Sequence, residues 1–483
     1  MLESLQHLWA ELFAIASIAL AVGLAIGVIL RKRNERSAIG WIGVLLLSPP
    51  LGSIAFLMFG INRIRRRARI MKADHGNHEQ HAAAAAADPR TAQNIVPADR
   101  HYFVRLARLT DRVVNRPLVG GNGFEPLVDG TAAFPAMIDA IDGARRSLVL
   151  ATYVFRRDEI GGTFVDALAR ARRRGVDVRV LIDGLGSHYS WPTVVDDLRR
   201  EGVTTARFLH SFWPWQMPYL NLRSHKKLLL ADARVGFTGG MNISGKHAAS
   251  ASRPSIYRDV HFKVEGPILG QLMHVFADDW AFTTGESLDG EHWFPAQEQA
   301  GSVHARAITS GPDQDNETIR MTILGAVTQA TYRISIATPY FVPDQQMAMA
   351  LSLAALRGVE VDIVMPANNN LPFVKWASTA RMEELIRAGC RLWYSGPSFD
   401  HSKLLAIDDA WGLIGSANWD ERSLRLNFEL NVECYDGSFA RALHGLVDAK
   451  RDESHPVTLE ALRQRTMAVK LRDGVARLFA PYL

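Results

Sequence analysis

The stretch HSKLLAIDDAWGLIGSANWD, residues 401–420, repeats the skeleton of an earlier stretch, HKKLLLADARVGFTGGMN, residues 225–242. Both contain His-x-Lys-x-x-x-x-Asp, then a glycine turn, then an asparagine. The second copy follows the first by 176 positions throughout, and the matched residues are His225 and His401, Lys227 and Lys403, Asp232 and Asp408, and Asn242 and Asn418. A constant spacing over so many positions predicts an internal duplication.

The duplication extends to the segments around the motifs. Residues 145–155 form an apolar, β-branched run that is followed by a helical pattern and a second strand from Val176, and residues 332–344 begin the same order again. Each motif then opens a further strand that turns at its aspartate. Alternating strands and helices predict an α/β fold, with a mixed or parallel sheet covered by helices.

Each motif places its histidine and lysine on one face of an extended segment, because they are two residues apart. If the two halves pack about a pseudo-two-fold axis, two imidazoles and two ammonium groups meet in one pocket. That set suits a phosphodiester: the lysines hold the phosphate oxygens, one histidine attacks phosphorus, and the other transfers protons. Asn242 and Asn418 are candidates for donating further hydrogen bonds to the same oxygens.

The motif aspartates are candidates with two interpretations. Asp232 and Asp408 belong to the repeated pattern and are therefore counted with the catalytic candidates. Their position near a strand end also fits a turn or an internal salt bridge.

Composition and charge restrict the class of protein. The chain has 483 residues, 48% of them hydrophobic, and only two cysteines, Cys390 and Cys434, which argues against a disulfide scaffold or a Cys-x-x-Cys metal site. The net charge is +5, but residues 31–72 alone carry +9 and residues 73–483 carry −2. Since a nucleic-acid partner requires a basic surface, the charge argues against one.

The amino-terminal region predicts a membrane anchor. Residues 12–30 contain no charge and are long enough to cross a bilayer, whereas a cleaved signal peptide, the alternative, would begin with basic residues. A second apolar segment, 38–60, is interrupted by Pro49, Pro50 and Gly52. It either crosses the membrane or enters and returns. The preference of basic residues for the cytoplasmic side favours return, with the catalytic part facing the cytoplasm.

The predicted domain organisation follows from these segments. Residues 1–72 form the anchor, including a basic run at 63–72, and residues 73–99 form a low-complexity linker. Residues 100–300 and 301–483 form the two catalytic halves. The aromatic segment 211–220 either contacts lipid or closes a core, and the amphipathic carboxyl-terminal tail either lies at the membrane interface or packs against the domain.

These motifs resemble those of the phospholipase D superfamily, and within it the bacterial cardiolipin synthases. The similarity rests on the two HxKxxxxD motifs, on SPPLGSIAFLMFG before an arginine run, on NLRSHKK, and on GSANWDERSLRLNFELNVE. It implies two pseudo-symmetric α-β-α sandwich halves, no metal or other cofactor, and a bacterial inner-membrane location. The implied reaction transfers a phosphatidyl group between two phosphatidylglycerol molecules, giving cardiolipin and glycerol.

The resemblance also implies roles for individual residues. His225 corresponds to the nucleophile that forms a phosphohistidine, and His401 to the general acid and base. Asp259 and Glu429 match acidic residues that orient the histidines. A phospholipase D or another phosphodiesterase that uses water as acceptor, and an inactive membrane scaffold, remain as alternatives. The acceptor alcohol, the acyl-chain preference and the oligomeric state are left open.

Overall fold

The computed structural model describes residues 2–31, 35–57, 102–209, 222–248, 256–312 and 317–479. The chain divides into two compact units, Met1–Ile70 and Met71–Leu483. Three predicted segments lie outside the described residues: the basic run 63–72, the linker 73–99 and the aromatic segment 211–220.

The first unit contains three helices: α1 (Leu2–Arg31), α2 (Glu35–Leu47) and α3 (Pro49–Ala55). Within α1, His7–Leu30 is long and apolar enough to cross a membrane, with a mean hydropathy of 2.7. Helix α2 ends before the two prolines, which lack the N–H groups that a continuing helix needs. The chain then folds back, so that the ring of Phe56 lies 5.3 Å from that of Trp41.

The first half of the second unit contains five α-helices and eight strands among its described residues. In chain order they are α4 (Tyr102–Val113), β1 (Val119–Val128), α5 (Asp129–Gly143), β2 (Ser147–Thr152), α6 (Glu159–Arg173), β3 (Asp177–Asp183), α7 (Val194–Arg200), β4 (Thr204–Phe208), β5 (Leu228–Ala231), β6 (Val235–Gly239), β7 (Tyr257–Arg258), β8 (Val260–Glu265) and α8 (Ile268–Thr284).

The second half repeats this order with a longer carboxyl-terminal end. Its elements are β9 (Val303–Ser310), α9 (Thr318–Gln329), β10 (Arg333–Ala337), β11 (Phe341–Val342), α10 (Gln345–Leu356), β12 (Glu360–Pro366), α11 (Pro372–Ala388), β13 (Arg391–Ser395), β14 (Phe399–Asp400), β15 (Leu404–Ile407), β16 (Trp411–Gly415), β17 (Trp419–Asp420), α12 (Glu421–Arg425), β18 (Glu429–Tyr435), α13 (Gly437–Asp452), β19 (His455–Pro456), α14 (Leu459–Arg463) and α15 (Met467–Leu478).

A mixed sheet joins the two halves. From the middle outward the first half runs β1-β8-β6-β5-β2-β3-β4, and the second half runs β9-β18-β16-β15-β10-β12-β13-β19. Each of these first-half strands thus has an equivalent at the same place in the second half, which adds β19 at its edge. Strand β1 meets β9 at the pairs Val119 with Ala305 and Asn122 with Val303. The strands predicted around both motifs are confirmed, as is the α/β fold of two pseudo-symmetric halves.

Each half has a run of three parallel strands, β2-β3-β4 and β10-β12-β13. Every residue of β2 is buried, as expected for a strand with a helix layer on both faces. Helix α6 buries Phe164 and Leu168 and carries its arginines at its carboxyl-terminal end, where cations are favourable.

The carboxyl-terminal tail forms α15, which has two different faces. One face packs against α11, where Ala476 is buried and the guanidinium of Arg472 lies 4.4 Å from the centre of the Trp376 ring. The other face exposes Met467, Leu471 and Leu478, each more than half exposed. The predicted packing is thus observed, and an apolar face remains for the predicted interface.

Candidate active site

Backbone hydrogen bonds attach each motif to the opposite half. The N–H of His225 donates to the carbonyl of Phe428 at 2.9 Å, and the N–H of His401 donates to the carbonyl of Arg258 at 2.7 Å. The strands β5 and β15 begin one residue after Lys227 and Lys403. The motif residues therefore lie on the extended entry to each strand, slightly before the position that we predicted.

Both histidines line one cavity of about 450 Å³. Asn242 and Asn418 line it as well. Other lining residues are the aromatic Tyr153, Tyr189, Tyr257, Tyr340 and Phe399, and the charged Arg156, Arg223, Lys246, Asp420 and Arg422. The two histidines therefore meet in one cavity, whereas Lys227 and Lys403, which were predicted to join them, are not among its lining residues.

A carboxylate from the opposite half holds each imidazole. Glu429 Oε2 lies 3.0 Å from Nδ1 of His225, and Asp259 Oδ2 lies 3.0 Å from Nδ1 of His401. Both carboxylates are fully buried. When Nδ1–H donates to the carboxylate, the lone pair of the neutral ring lies on Nε2, which fixes the nitrogen that can attack or accept a proton.

The Glu429 carboxylate is fixed by its own hydrogen bonds. The hydroxyl of Ser416 donates to Oε2 at 2.5 Å, and the side-chain amide of Asn427 donates to Oε1 at 3.0 Å. In the first half the position of Ser416 is occupied by Gly240, where a Cβ would lie 2.7 Å from the Asp259 carboxylate. The shorter acid is thus accommodated by the smaller neighbour.

Burial sets the protonation of the central groups. It lowers the pKa of Lys227 to about 7 and that of Lys403 to about 8. Burial and, after it, the two lysine charges hold the pKa values of His225 and His401 well below the usual range. Both rings are therefore neutral in the empty site.

The two carboxylates balance the lysine charges. Burial raises the pKa of Glu429 to about 7 and also raises that of Asp259. The ammonium groups of Lys227 and Lys403 donate to the carbonyls of their own motif histidines. Because these groups are held in a low-dielectric interior, an entering phosphodiester interacts strongly with the two ammonium charges.

The glycine turns bring the asparagines to the cavity. Gly239 and Gly415 have φ of 151° and 148°, and a Cβ on either would collide with the neighbouring strand. Asn242 accepts from the Val154 N–H through Oδ1, so its NH₂ group is the end left for a ligand. The amide nitrogen of Asn418 instead donates to the hydroxyl of Ser423. The equal roles that we predicted for the two asparagines are therefore not matched by equal hydrogen bonds.

The motif aspartates do not line the cavity. Asp232 accepts from the backbone N–H groups of residues 145–147, and Asp408 accepts from those of residues 331–333. Both have left-handed backbones, with φ of 53° and 48°. This placement favours the structural interpretation of the two aspartates, because each carboxylate fixes the start of a strand, β2 or β10.

Replacing Asp408 by alanine is expected to destabilise the fold by roughly 3 kcal/mol or more, since three backbone N–H groups lose their acceptor. Asp408→Asn keeps an acceptor oxygen and tolerates the left-handed backbone, so it is expected to lose less. Thermal unfolding of the purified chain measures the change, and turnover is normalised to the folded fraction. An alanine variant with wild-type unfolding but no turnover would contradict the structural role.

Aromatic rings surround the two histidines, a feature that was not predicted from the sequence. The ring of Tyr153 lies 5.2 Å from that of His225, and the ring of Phe399 lies 5.8 Å from that of His401. Tyr153 and Tyr340 each follow the first parallel strand of their half, which is a signal that the duplication contained. Among the described residues, no group of three or more His, Cys, Asp or Glu side chains is placed to hold a metal ion.

Comparison with known families agrees with a chain of two related halves. A family model described as "Cardiolipin synthase, PLD-like domain" matches residues 137–280 and 323–449, a segment in each half. The chain belongs to this cardiolipin synthase family of the phospholipase D superfamily. A second model, "Phospholipase_D-nuclease N-terminal", matches residues 19–60. The predicted family and enzyme class, a phosphatidyltransferase, are thus confirmed.

Individual relatives of the family match over almost the whole chain. Cardiolipin synthase A of Pseudomonas putida (strain GB-1) is 31% identical over 96% of this chain and 96% of its own. Cardiolipin synthase 1 of Bacillus anthracis is 28% identical over 96% of this chain and 92% of its own. The crystal structure of phosphatidylserine synthase from Haemophilus influenzae Rd KW20 has a similar fold, with a TM-score of 0.61 and 15% identity over 78% of this chain and 100% of that one.

Proposed function

We propose that this synthase condenses two phosphatidylglycerol molecules into cardiolipin and glycerol through a phosphohistidine. The observation that carries the proposal is the pair of buried imidazoles that open on one cavity, each with Nδ1 3.0 Å from a carboxylate of the opposite half. The names of the relatives support the product. The motif aspartates, Asp232 and Asp408, are assigned no chemical step.

In the first step, Nε2 of His225 attacks phosphorus of the donor phosphatidylglycerol. The bond from phosphorus to the headgroup glycerol oxygen breaks, and His401 gives that oxygen a proton. Although both rings are neutral in the empty site, the negative charge of the bound phosphodiester raises the pKa of His401 and so favours its protonation. Lys227 and Lys403 stabilise the charge on the phosphate oxygens.

In the second step, the terminal hydroxyl of another phosphatidylglycerol attacks the phosphatidyl-enzyme. His401 takes the proton of that hydroxyl, and the bond between phosphorus and Nε2 of His225 breaks. Cardiolipin leaves, and the enzyme returns to its first state. Because the same groups serve both directions, added glycerol drives the reaction back toward phosphatidylglycerol.

Lipid analysis of the purified full chain, incubated in detergent with phosphatidylglycerol alone, tests the proposed function. We expect cardiolipin and glycerol in equal molar amounts. Phosphatidic acid in place of cardiolipin would mean that water is the acceptor, as in the alternative phospholipase. Absence of turnover on phosphatidylglycerol would contradict both.

We also propose that α1 crosses the bacterial inner membrane while α2 and α3 enter and return on the cytoplasmic side. Helix α2 has 13 residues, or about 20 Å, which is less than the ~30 Å of hydrocarbon. The contact between Trp41 of α2 and Phe56 also supports a chain that turns back after α2. Cysteines introduced at positions 34 and 70 should then both react with reagent from the cytoplasmic face, and the native Cys390 and Cys434 are buried. Labelling from opposite faces would contradict the topology.

A further inference from the structure

The cavity wall carries more positive charge than one phosphodiester requires. Four cationic side chains line it, Arg156, Arg223, Lys246 and Arg422, and the buried motif lysines are not counted among them. Asp420 is the carboxylate among the lining residues. Since residues 73–483 together carry a net charge of −2, this concentration of cations is local. Cations that face one cavity favour an anionic ligand there.

The two halves contribute differently to this charge. Lys246 and Arg422 are equivalent, because each follows its motif asparagine by four positions. Arg223, two residues before His225, has Phe399 as its equivalent 176 positions later. The ring of Phe399 lies 5.1 Å from that of Tyr257 and 5.8 Å from that of His401. At equivalent positions of the cavity wall, the first half therefore has a cation and the second half has an aromatic ring.

The backbones of Arg223 and Arg422 are held by hydrogen bonds to two consecutive residues, 427 and 428. The N–H of Phe428 donates to the carbonyl of Arg223 at 2.9 Å, and the N–H of Asn427 donates to the carbonyl of Arg422 at 3.0 Å. Burial and then the charge of Arg223 lower the pKa of Arg422. The fold thus holds two like charges near one another, and an anion bound there relieves their repulsion.

The acids near these arginines are engaged with backbone donors. Asp420 accepts from the Ser423 N–H at 2.7 Å, and Asp183 accepts from the Ser224 N–H at 2.7 Å. Burial raises the pKa of each to about 6. Each carboxylate therefore shares its oxygens with backbone donors.

We infer that Arg223 and Arg422 form a second phosphate-binding subsite, which holds the phosphodiester of the acceptor phosphatidylglycerol. The inference rests on the proposed function. The acceptor carries its phosphate on the same glycerol whose free hydroxyl attacks, so that the two phosphorus atoms of cardiolipin are separated by six bonds. A guanidinium group can donate two parallel hydrogen bonds to two oxygens of one phosphate. Water and simple alcohols lack this phosphate, and the subsite therefore selects a lipid acceptor over them.

A competition between two acceptors tests the subsite. The full chain is incubated in detergent with phosphatidylglycerol and ethanol together, and cardiolipin and phosphatidylethanol are measured in the same sample. Arg223→Gln and Arg422→Gln are each expected to lower the ratio of cardiolipin to phosphatidylethanol by about 10- to 100-fold, the effect of a lost hydrogen bond to a charged group. Both products arise from one intermediate, so the ratio does not depend on how much protein is folded.

Two further variants serve as controls. Arg422→Lys keeps the charge and is expected to retain most of the ratio. Arg425 lies on the same short helix α12, does not line the cavity, and pairs with Glu421 at 3.2 Å, so Arg425→Gln is expected to leave the ratio unchanged. An unchanged ratio in both Arg223→Gln and Arg422→Gln overturns the subsite. A wild-type chain that makes neither product overturns the proposed function itself.

Discussion

Replacing His225 or His401 by alanine is expected to lower cardiolipin formation by about 10⁴-fold or more. The nucleophile and the acid-base group act in the same reaction, so loss of either one removes nearly all of the rate enhancement. Each ring is held by a buried carboxylate of the opposite half and lines the shared cavity. Loss of His225 removes the proposed attacking nitrogen. Loss of His401 leaves the departing glycerol oxygen without a proton donor.

A covalent trap distinguishes the two histidines. Wild-type protein is mixed with phosphatidylglycerol labelled at phosphorus and is then quenched in base, where a phosphohistidine survives. Label on the peptide that contains residue 225 is expected, and label on the peptide of residue 401 would exchange the two roles. His304→Ala, in strand β9 and outside the cavity wall, serves as the control and should turn over within about twofold of wild type.

The duplication made the fold and the pairing of the histidines predictable from sequence. The repeated strand-helix-strand order gave two α/β halves, and the repeated motif gave two equivalent His-Lys pairs. The same equivalence does not identify which histidine is the nucleophile, since both copies of the motif have the same pattern. The two histidines differ in the residues around them: Ser416 in one half replaces Gly240 of the other, and Phe399 replaces Arg223.

The contacts between halves required the three-dimensional structure. Asp259 immediately precedes β8 and Glu429 begins β18, the two strands that flank the central β1 and β9. This central position lets each acid reach the opposite histidine, and no local period in the sequence encodes it. The motif aspartates show the converse. Their constant spacing marked them as important, and their hydrogen bonds to backbone N–H groups support a structural role at the start of a strand.

Replacing Glu429 by glutamine is expected to lower the rate by about 10²-fold or more, because the amide no longer stabilises the positive charge that develops on the His225 ring. The variant retains the side-chain shape, so that its unfolding temperature should remain close to that of wild type. As a positioning residue, Glu429 should also determine the pH at which the rate falls on acidification.

The sign of that dependence follows from the raised pKa of Glu429. The carboxylate is the active form, and because burial raises its pKa to about 7, the wild-type rate should fall as the pH falls through 7. Above pH 7 the rate should fall again as Lys227 and then Lys403, with pKa values lowered to about 7 and about 8, lose their charges. In Glu429→Gln the group no longer titrates, so the fall at low pH should move to lower pH or disappear.

Ser416→Ala provides the opposite shift. The Ser416 hydroxyl donates to the ionised form of Glu429 and lowers its pKa, so its removal should move the fall at low pH to higher pH. Opposite displacements in two neighbouring variants distinguish a titrating Glu429 from a general loss of packing, which would lower the rate equally at every pH. An acid limb that is identical in wild type, Glu429→Gln and Ser416→Ala would assign the titration to another group and leave the carboxylate with a structural role alone.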